Sequence, residues 1–177
     1  MAEPSPGRVP FEEYLEATYD PDCEYVDGRL IQRTAAAERY KWVKNRLLAY
    51  FRQFEDPCNI RVLENQRIHI PDLAATQRCR IADVSLVTRP HVPSRILEKP
   101  PLAAFEVLRP YEPAGTLLGR LSDLLSAGVP YLWAIDVDEA TWFSVSARGL
   151  HRVAGQQAVI PELSLTIALR PFFRELE

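Results

Sequence analysis

Cysteine, histidine and glycine are scarce in this chain: three, three and seven among 177 residues. Cys23, Cys58 and Cys79 are odd in number and form no CxxC pair, which fits neither a disulfide framework nor a thiolate zinc site and suits a reducing compartment. His69, His91 and His151 stand at no metal-ligand spacing. Without a Ser-His-Asp pattern or a glycine-rich phosphate loop, triad hydrolases and nucleotide-binding enzymes are disfavoured. No stretch approaches the ~20 apolar residues of a membrane span. The opening MAEPSPGRVP lacks a charged start followed by an apolar run. A secreted or membrane-bound protein is therefore not expected, and the cytoplasm is the expected location. An excess of either charge is missing too. At a net charge of −3 no global field gathers nucleic acid, so such a partner has to be met by a local basic patch.

A hydrophobic content of 47% over 177 residues suffices for one core. Residues 1–9 read as a disordered tail and residues 10–177 as a single domain. Fifteen prolines point to stiff connections.

After Pro10, FEEYLEAT sets Phe11, Tyr14 and Leu15 on one side of a short helix. Asp27-Gly28 between apolar runs predicts a hairpin over 23–32. Val43, Leu47, Tyr50, Phe51 and Phe54 recur at helical spacing over 36–54, with Arg39, Lys41, Lys44, Arg46 and Arg52 on the remaining surface. Strands are expected at 60–70 and 80–87, and LAAFEVL at 102–108 reads as a central strand covered on both faces. A leucine-rich helix over 116–128 ends on Gly128. YLWAID and TWFSVSA flank a turn at Asp138 and Glu139, followed by short strands at HRVAG and LSLTIAL and a final helical turn at FFREL. The order describes an α/β (α+β) protein with a mixed sheet flanked by helices.

Two acids interrupt the apolar strands. Asp83 shares a pleat face with Ile81, Ser85 and Val87, and Glu106 shares one with Ala104 and Leu108. On adjacent strands their carboxylates would converge and repel unless a cation separates them, and hard oxygen ligands favour Mg2+ or Mn2+. Such an ion would polarise a phosphodiester and acidify a bound water. The competing reading is structural, with Asp83 paired to Arg80 and Glu106 to Arg109.

The hairpin YVDGRL, IADVSLV, FEVL, the leucine-rich helix ending in SAGV, and YLWAIDVD together resemble the Uma-two family of putative restriction endonucleases, over roughly residues 10–175. The resemblance implies a restriction-endonuclease-like core of the PD-(D/E)xK nuclease superfamily, cleaving DNA with magnesium. It implies Asp83 and Glu106 as metal ligands and places Arg120 where the family carries its catalytic lysine. An arginine can stabilise developing phosphate charge but cannot serve as a general base. Further departures are Ala82 for a proline, Arg109 for a serine and Thr116 for an acid. Glu24, Asp27 and Glu38 are additional acids near the start of the core, with Glu38 the candidate for a helix-borne glutamate. The basic face of the 36–54 helix, with Arg78, Arg80, Arg95 and Lys99, is a candidate to touch phosphates, beside the commoner reading of a solvated face.

Three functions follow as expectations. The first is a Mg2+- or Mn2+-dependent DNA endonuclease using Asp83, Glu106 and Arg120, for which cutting both strands would suit a homodimer. The second is a non-catalytic descendant that binds DNA or protein. The third is a structural or dimerisation protein with IALRPFFREL as its contact surface.

Overall fold

The computed structural model describes residues 7–71 and 77–173. Helix α1 (Phe11–Glu16) leads into the hairpin of β1 (Cys23–Val26) and β2 (Arg29–Gln32). Asp27 (φ 51°) and Gly28 (φ 87°) both take the left-handed conformation that a two-residue hairpin turn needs, and Val26 pairs with Arg29. Helix α2 (Glu38–Arg52) buries Val43, Leu47 and Phe51. The long strands β3 (Ile60–Ile70) and β4 (Arg78–Thr88) follow, then β5 (Ile96–Leu97) and β6 (Ala103–Val107). Helix α3 (Ala114–Ser126) starts after Pro113, buries Leu121 and Leu124, and stops where Gly128 takes φ 91°. Strands β7 (Tyr131–Asp136), β8 (Thr141–Ser146), β9 (Gly149–Arg152), β10 (Gln157–Ile160) and β11 (Leu165–Ala168) complete the chain, with short 3-10 turns between them.

Nine strands form one mixed sheet in the order β2-β1-β4-β6-β7-β8-β9, with β3 on β4 and β5 on β3. Strands β6 and β7 are parallel and joined through α3; most other pairs are antiparallel. One face, with Val84, Phe105 and Trp133, packs on α2 and on the separate β10–β11 hairpin through Ala158 and Ile167. The opposite face, with Ala104, Leu132 and Ala134, packs on Leu121 and Leu124 of α3. A third cluster, with Tyr14, Tyr25 and Cys79, seats α1 on the hairpin.

The expected mixed sheet flanked by helices is what forms. Two short strands, β5 and β10, went unread because two- and four-residue runs are too short to set up a period. Residues 1–6 of the expected tail lie outside the described residues, but Val9 is docked: its N–H donates to the Gly28 carbonyl at 2.8 Å, and the Tyr25 hydroxyl donates to its carbonyl at 2.7 Å. The expected last turn at FFREL falls partly outside the described residues. Its start is a 3-10 turn at Arg170–Phe172. Ile167, Leu169, Phe172 and Phe173 are buried within the chain's own core, so they offer no contact surface for a partner.

Strand β4 is the hub that positions the site. One of its edges pairs with β3 from end to end. The other is divided: β1 takes Arg78 and Cys79, and β6 takes Val84 to Leu86. Between them the sheet splits along residues 80–83.

Candidate active site

Backbone groups at the split find side-chain partners in place of a neighbouring strand. Glu24 Oε1 accepts the Ile81 N–H at 3.2 Å, and Asp83 Oδ2 accepts the Val107 N–H at 2.9 Å. Glu24 is delivered by β1, where Cys23 and Tyr25 point into the α1 cluster and leave the residue between them facing the opposite way. Pleat alternation along β4 slips here. Arg80, Ala82 and Val87 meet groups on the α3 side, whereas Val84 and Leu86 pack against the α2 side. Across from the slip, Asn65 of β3 holds φ 47°, a conformation that twists the paired strand. Simple alternation, as read from the sequence, misses this.

The β4–β6 register runs Leu86↔Ala103, Ser85↔Ala104, Val84↔Phe105; carried one residue further, it sets Asp83 across from Glu106. The two carboxylates do converge, and what they converge on is Arg33. Its Nη1 lies 3.2 Å from Asp83 Oδ1 and its Nη2 donates to Glu106 Oε2 at 3.1 Å. Arg33 directly follows β2, so the same hairpin that brings in Glu24 also brings in this guanidinium. Arg109, just past β6, donates to Asp83 Oδ1 at 2.7 Å. Asp83 and Glu106 are each 1% exposed.

Arg120 projects from α3 into the same wedge. It donates to Glu24 Oε1 at 2.6 Å and to Glu106 Oε2 at 3.2 Å, and it is also paired with Glu112. Arg80 donates to Glu24 Oε2 at 2.8 Å and to Asp123 Oδ2 at 2.7 Å. At the rim, Arg78 joins Asp27 to Asp123. The structural pairing expected from the sequence is thus exchanged: Arg80 holds Glu24 and Asp123, not Asp83, and Arg109 holds Asp83, not Glu106.

Burial works against ionisation of Asp83, but Arg33 and Arg109, with the Val107 N–H, prevail and hold it below the usual carboxylate range. The cost falls on its neighbour. Burial first, and the Asp83 charge after it, push Glu106 up to about 7 despite Arg33 and Arg120. Arg109 is pushed down, mainly by burial, whereas Glu106 and Glu24 overcome burial and hold Arg120 up. Arg120 is thus fixed as a cation and has no route to general-base chemistry.

These residues do not fit a divalent ion as they stand. Between the two carboxylates lies a guanidinium, and among the described residues no three His, Cys, Asp or Glu side chains are grouped to hold a metal. The opening beside Asp83, lined by Tyr40, Lys41, Lys44 and Arg109, measures ≈ 20 Å³. That admits about one water, too little for an ion that keeps several of its own.

Of the sequence candidates, Asp83, Glu106, Arg120 and Glu24 come together; Glu38 is exposed and pairs with Lys41 at 2.8 Å. Arg78 and Arg80 turn inward onto carboxylates, and Arg95 caps the end of α1 through the Glu16 and Ala17 carbonyls, so none of the three is free for phosphate. Arg33, Glu112 and Asp123 went unread. Arg33 sits in a short alanine-rich connection with no periodicity to mark it, Glu112 looks like an ordinary helix-flanking charge, and Asp123 looks like an ordinary charge within a helix. The available signal was a count: acids and arginines cluster at the ends of otherwise apolar segments.

No helix among the described residues is long and apolar enough to cross a membrane. Residues 11–176 match the family described as "Uma2: Putative restriction endonuclease". Among solved structures, a protein from Anabaena variabilis ATCC 29413 described as "a putative nuclease belonging to DUF820" superposes with a TM-score of 0.78 at 18% identity, over 93% of this chain and 97% of that one. At that identity the likeness is one of fold. No curated protein matches the chain.

Proposed function

Because the chain belongs to the Uma2 family of putative restriction endonucleases, we propose that it is a nuclease-fold protein that binds the DNA backbone without cutting it, its hydrolytic centre rebuilt as an internal ion network. One observation carries this reading: Arg33 sits where a cation bridging Asp83 and Glu106 would sit, at 3.2 and 3.1 Å. Arg120, at the position the resemblance gives to the lysine, is spent on Glu24, Glu106 and Glu112 and has no proton to exchange. Lys41, whose exposed pair with Glu38 yields readily to a phosphate, and Lys44, which would have to exchange Glu64 at 2.8 Å for one, stand on α2 beside Arg109 at the mouth of the wedge and supply its cationic rim.

The test pairs binding with cleavage. Wild type should bind duplex DNA by fluorescence anisotropy at low salt, and Lys41→Ala/Lys44→Ala should lower the salt slope by about 2. Supercoiled plasmid should remain uncut with Mg2+ or Mn2+. Cleavage that a chelator abolishes would overturn the reading, and absence of DNA binding at low salt would overturn its binding half.

One observation favours the alternative, a metal-dependent endonuclease using Asp83, Glu106 and Arg120: Glu106 Oε1 is buried with no hydrogen-bond partner among the described residues, an open ligand position. On that reading plasmid is cut, and Arg120→Lys raises the rate.

A further inference from the structure

We infer that the cavity between strands β8 and β9 and the turn at Arg170–Phe172 binds a small organic anion, an apolar body carrying a carboxylate or a phosphate monoester. Arg152 and Arg170 would take the charged end, and the indole N–H of Trp142 would be a further donor. The cavity lies on the α2 face of the sheet, where Trp142, Leu169 and Phe173 belong to the apolar core, and the ion network lies against α3. The inference goes beyond the DNA-binding reading and does not rest on it.

The backbone assembles the site. Strands β8 and β9 pair Phe143 with Arg152, and the Val153 N–H then donates to the Trp142 carbonyl at 2.9 Å, so Arg152 is carried alongside Trp142. After β11 the 3-10 turn at Arg170–Phe172 brings Leu169, Arg170 and Phe173 to the same cavity. Its volume is ≈ 280 Å³, at the small end of ligand sites. Thr141, Trp142, Leu169 and Phe173 are buried walls, whereas Glu139, Arg152 and Arg170 are exposed. Apolar and aromatic walls suit an organic body better than a bare ion.

The polar lining has donors to spare and few acceptors. The Thr141 hydroxyl donates to the Glu139 carbonyl at 2.9 Å and accepts from Arg152 Nη2 at 3.0 Å, which commits the hydroxyl and steadies the guanidinium. Among the described residues neither Arg152 nor Arg170 has an ion-pair partner, and Glu139, the acid of this lining, pairs with neither. Two guanidiniums around one cavity repel until an anion lies between them, and their planar forks match the oxygens of a carboxylate or a phosphate. Trp142 supplies the independent sign. It is 2% exposed, and its Nε1 is buried without an acceptor among the described residues. A buried indole N–H ordinarily has one, and a ligand oxygen in the adjoining cavity can provide it.

Heteronuclear NMR of the full chain tests this, with titrations of phenyl phosphate, benzoate, inorganic phosphate and neutral benzyl alcohol. The chain has three tryptophans, and the indole resonance of Trp142 is assigned through its ring contacts with Phe105 and Phe172. Phenyl phosphate or benzoate should bind saturably and move that resonance, and the tighter of the two identifies the charged group. Inorganic phosphate should bind more weakly for want of an apolar body, and benzyl alcohol should not bind. Arg170→Gln, a change at an exposed position, should weaken binding about 10-fold, and Arg152→Gln/Arg170→Gln should abolish it. Absence of saturable binding by both organic anions overturns the inference, and so does binding that leaves the Trp142 resonance in place or survives the double variant. Benzyl alcohol or inorganic phosphate bound as tightly as phenyl phosphate also overturns it, the first by removing the need for charge and the second the need for an organic body. DNA binding is read in a separate experiment, so failure here leaves that reading standing.

Discussion

Against α2 the central sheet buries rings and branched chains, with Phe51 on Phe105 at 4.7 Å and Phe105 on Trp133 at 5.0 Å between centroids. Against α3, a few residues along the same strands, it buries carboxylates and guanidiniums. The first region is held by area removed from water and asks nothing of direction. The second gains little net energy, because desolvation of each charge offsets its attraction, yet it fails when any one partner is lost. The contrast teaches where function can reside. An apolar packing has only one use, whereas a set of charges brought together at a split in the sheet can be redirected by changing a single member.

Truncations on the two sides should look alike when made singly and unlike in pairs. Phe105→Ala should cost about 3–5 kcal/mol through the cavity it leaves. Arg120→Ala should cost a similar ~3–5 kcal/mol, because Glu24 and Glu112 lose a partner while buried. Combining Arg120→Ala with Glu24→Gln should then cost about 1–3 kcal/mol less than the sum. Phe105→Ala with Leu124→Ala, on opposite faces of the sheet, should add to within ~0.5 kcal/mol. Urea denaturation measures all of these, and additivity in the charged pair would break the comparison.

Acidity sharpens it at intermediate size. Glu106 is raised to about 7, so the folded state holds its proton more tightly than the unfolded chain, and this contribution is complete below about pH 4.5 and lost as pH rises through 7. Stability should fall by about 1–3 kcal/mol over that window, and Glu106→Gln should flatten it. Asp83 acts in the other direction. Its pKa is lowered, so its contribution is present above its ordinary value and lost as pH falls. Melting temperatures from pH 3 to 8 should therefore peak on the acid side of neutrality, whereas a flat profile for wild type would remove the charged wedge from the energetics.

The smallest effect belongs to the surface. Lys41→Ala breaks only an exposed pair with Glu38 and should change stability by less than ~0.5 kcal/mol. On the proposed DNA reading the same change should lower the salt slope of binding by about 1. A loss of stability without a change in slope would move Lys41 from the binding face to the scaffold.

Most of the architecture was legible because pattern survives in the main elements: Val43, Leu47 and Phe51 in α2, the apolar run from Leu102 to Phe105, and Gly128 closing α3. Asp83 and Glu106 were legible because an acid in an apolar strand is conspicuous, and the β4–β6 pairing does bring them face to face. Their partners were harder to see. Arg33 meets them across 50 and 73 positions of sequence from a connection without any pattern, so no local signal links it to them. The slip between Ala82 and Val84 was equally hidden, since it follows from β4 being shared between β1 and β6 and from the twist at Asn65. Local rules read each strand, and the split between strands is a property of the whole sheet.

Titration of the wild-type protein with MnCl2 by calorimetry, at neutral pH and repeated with Glu106→Gln, addresses the central claim most directly. With Arg33 seated between Asp83 and Glu106, both proteins should give the heat of dilution alone. A saturable, chelator-reversible site in wild type that disappears in Glu106→Gln would contradict the account, because the carboxylates would then prefer a metal ion to their own arginine.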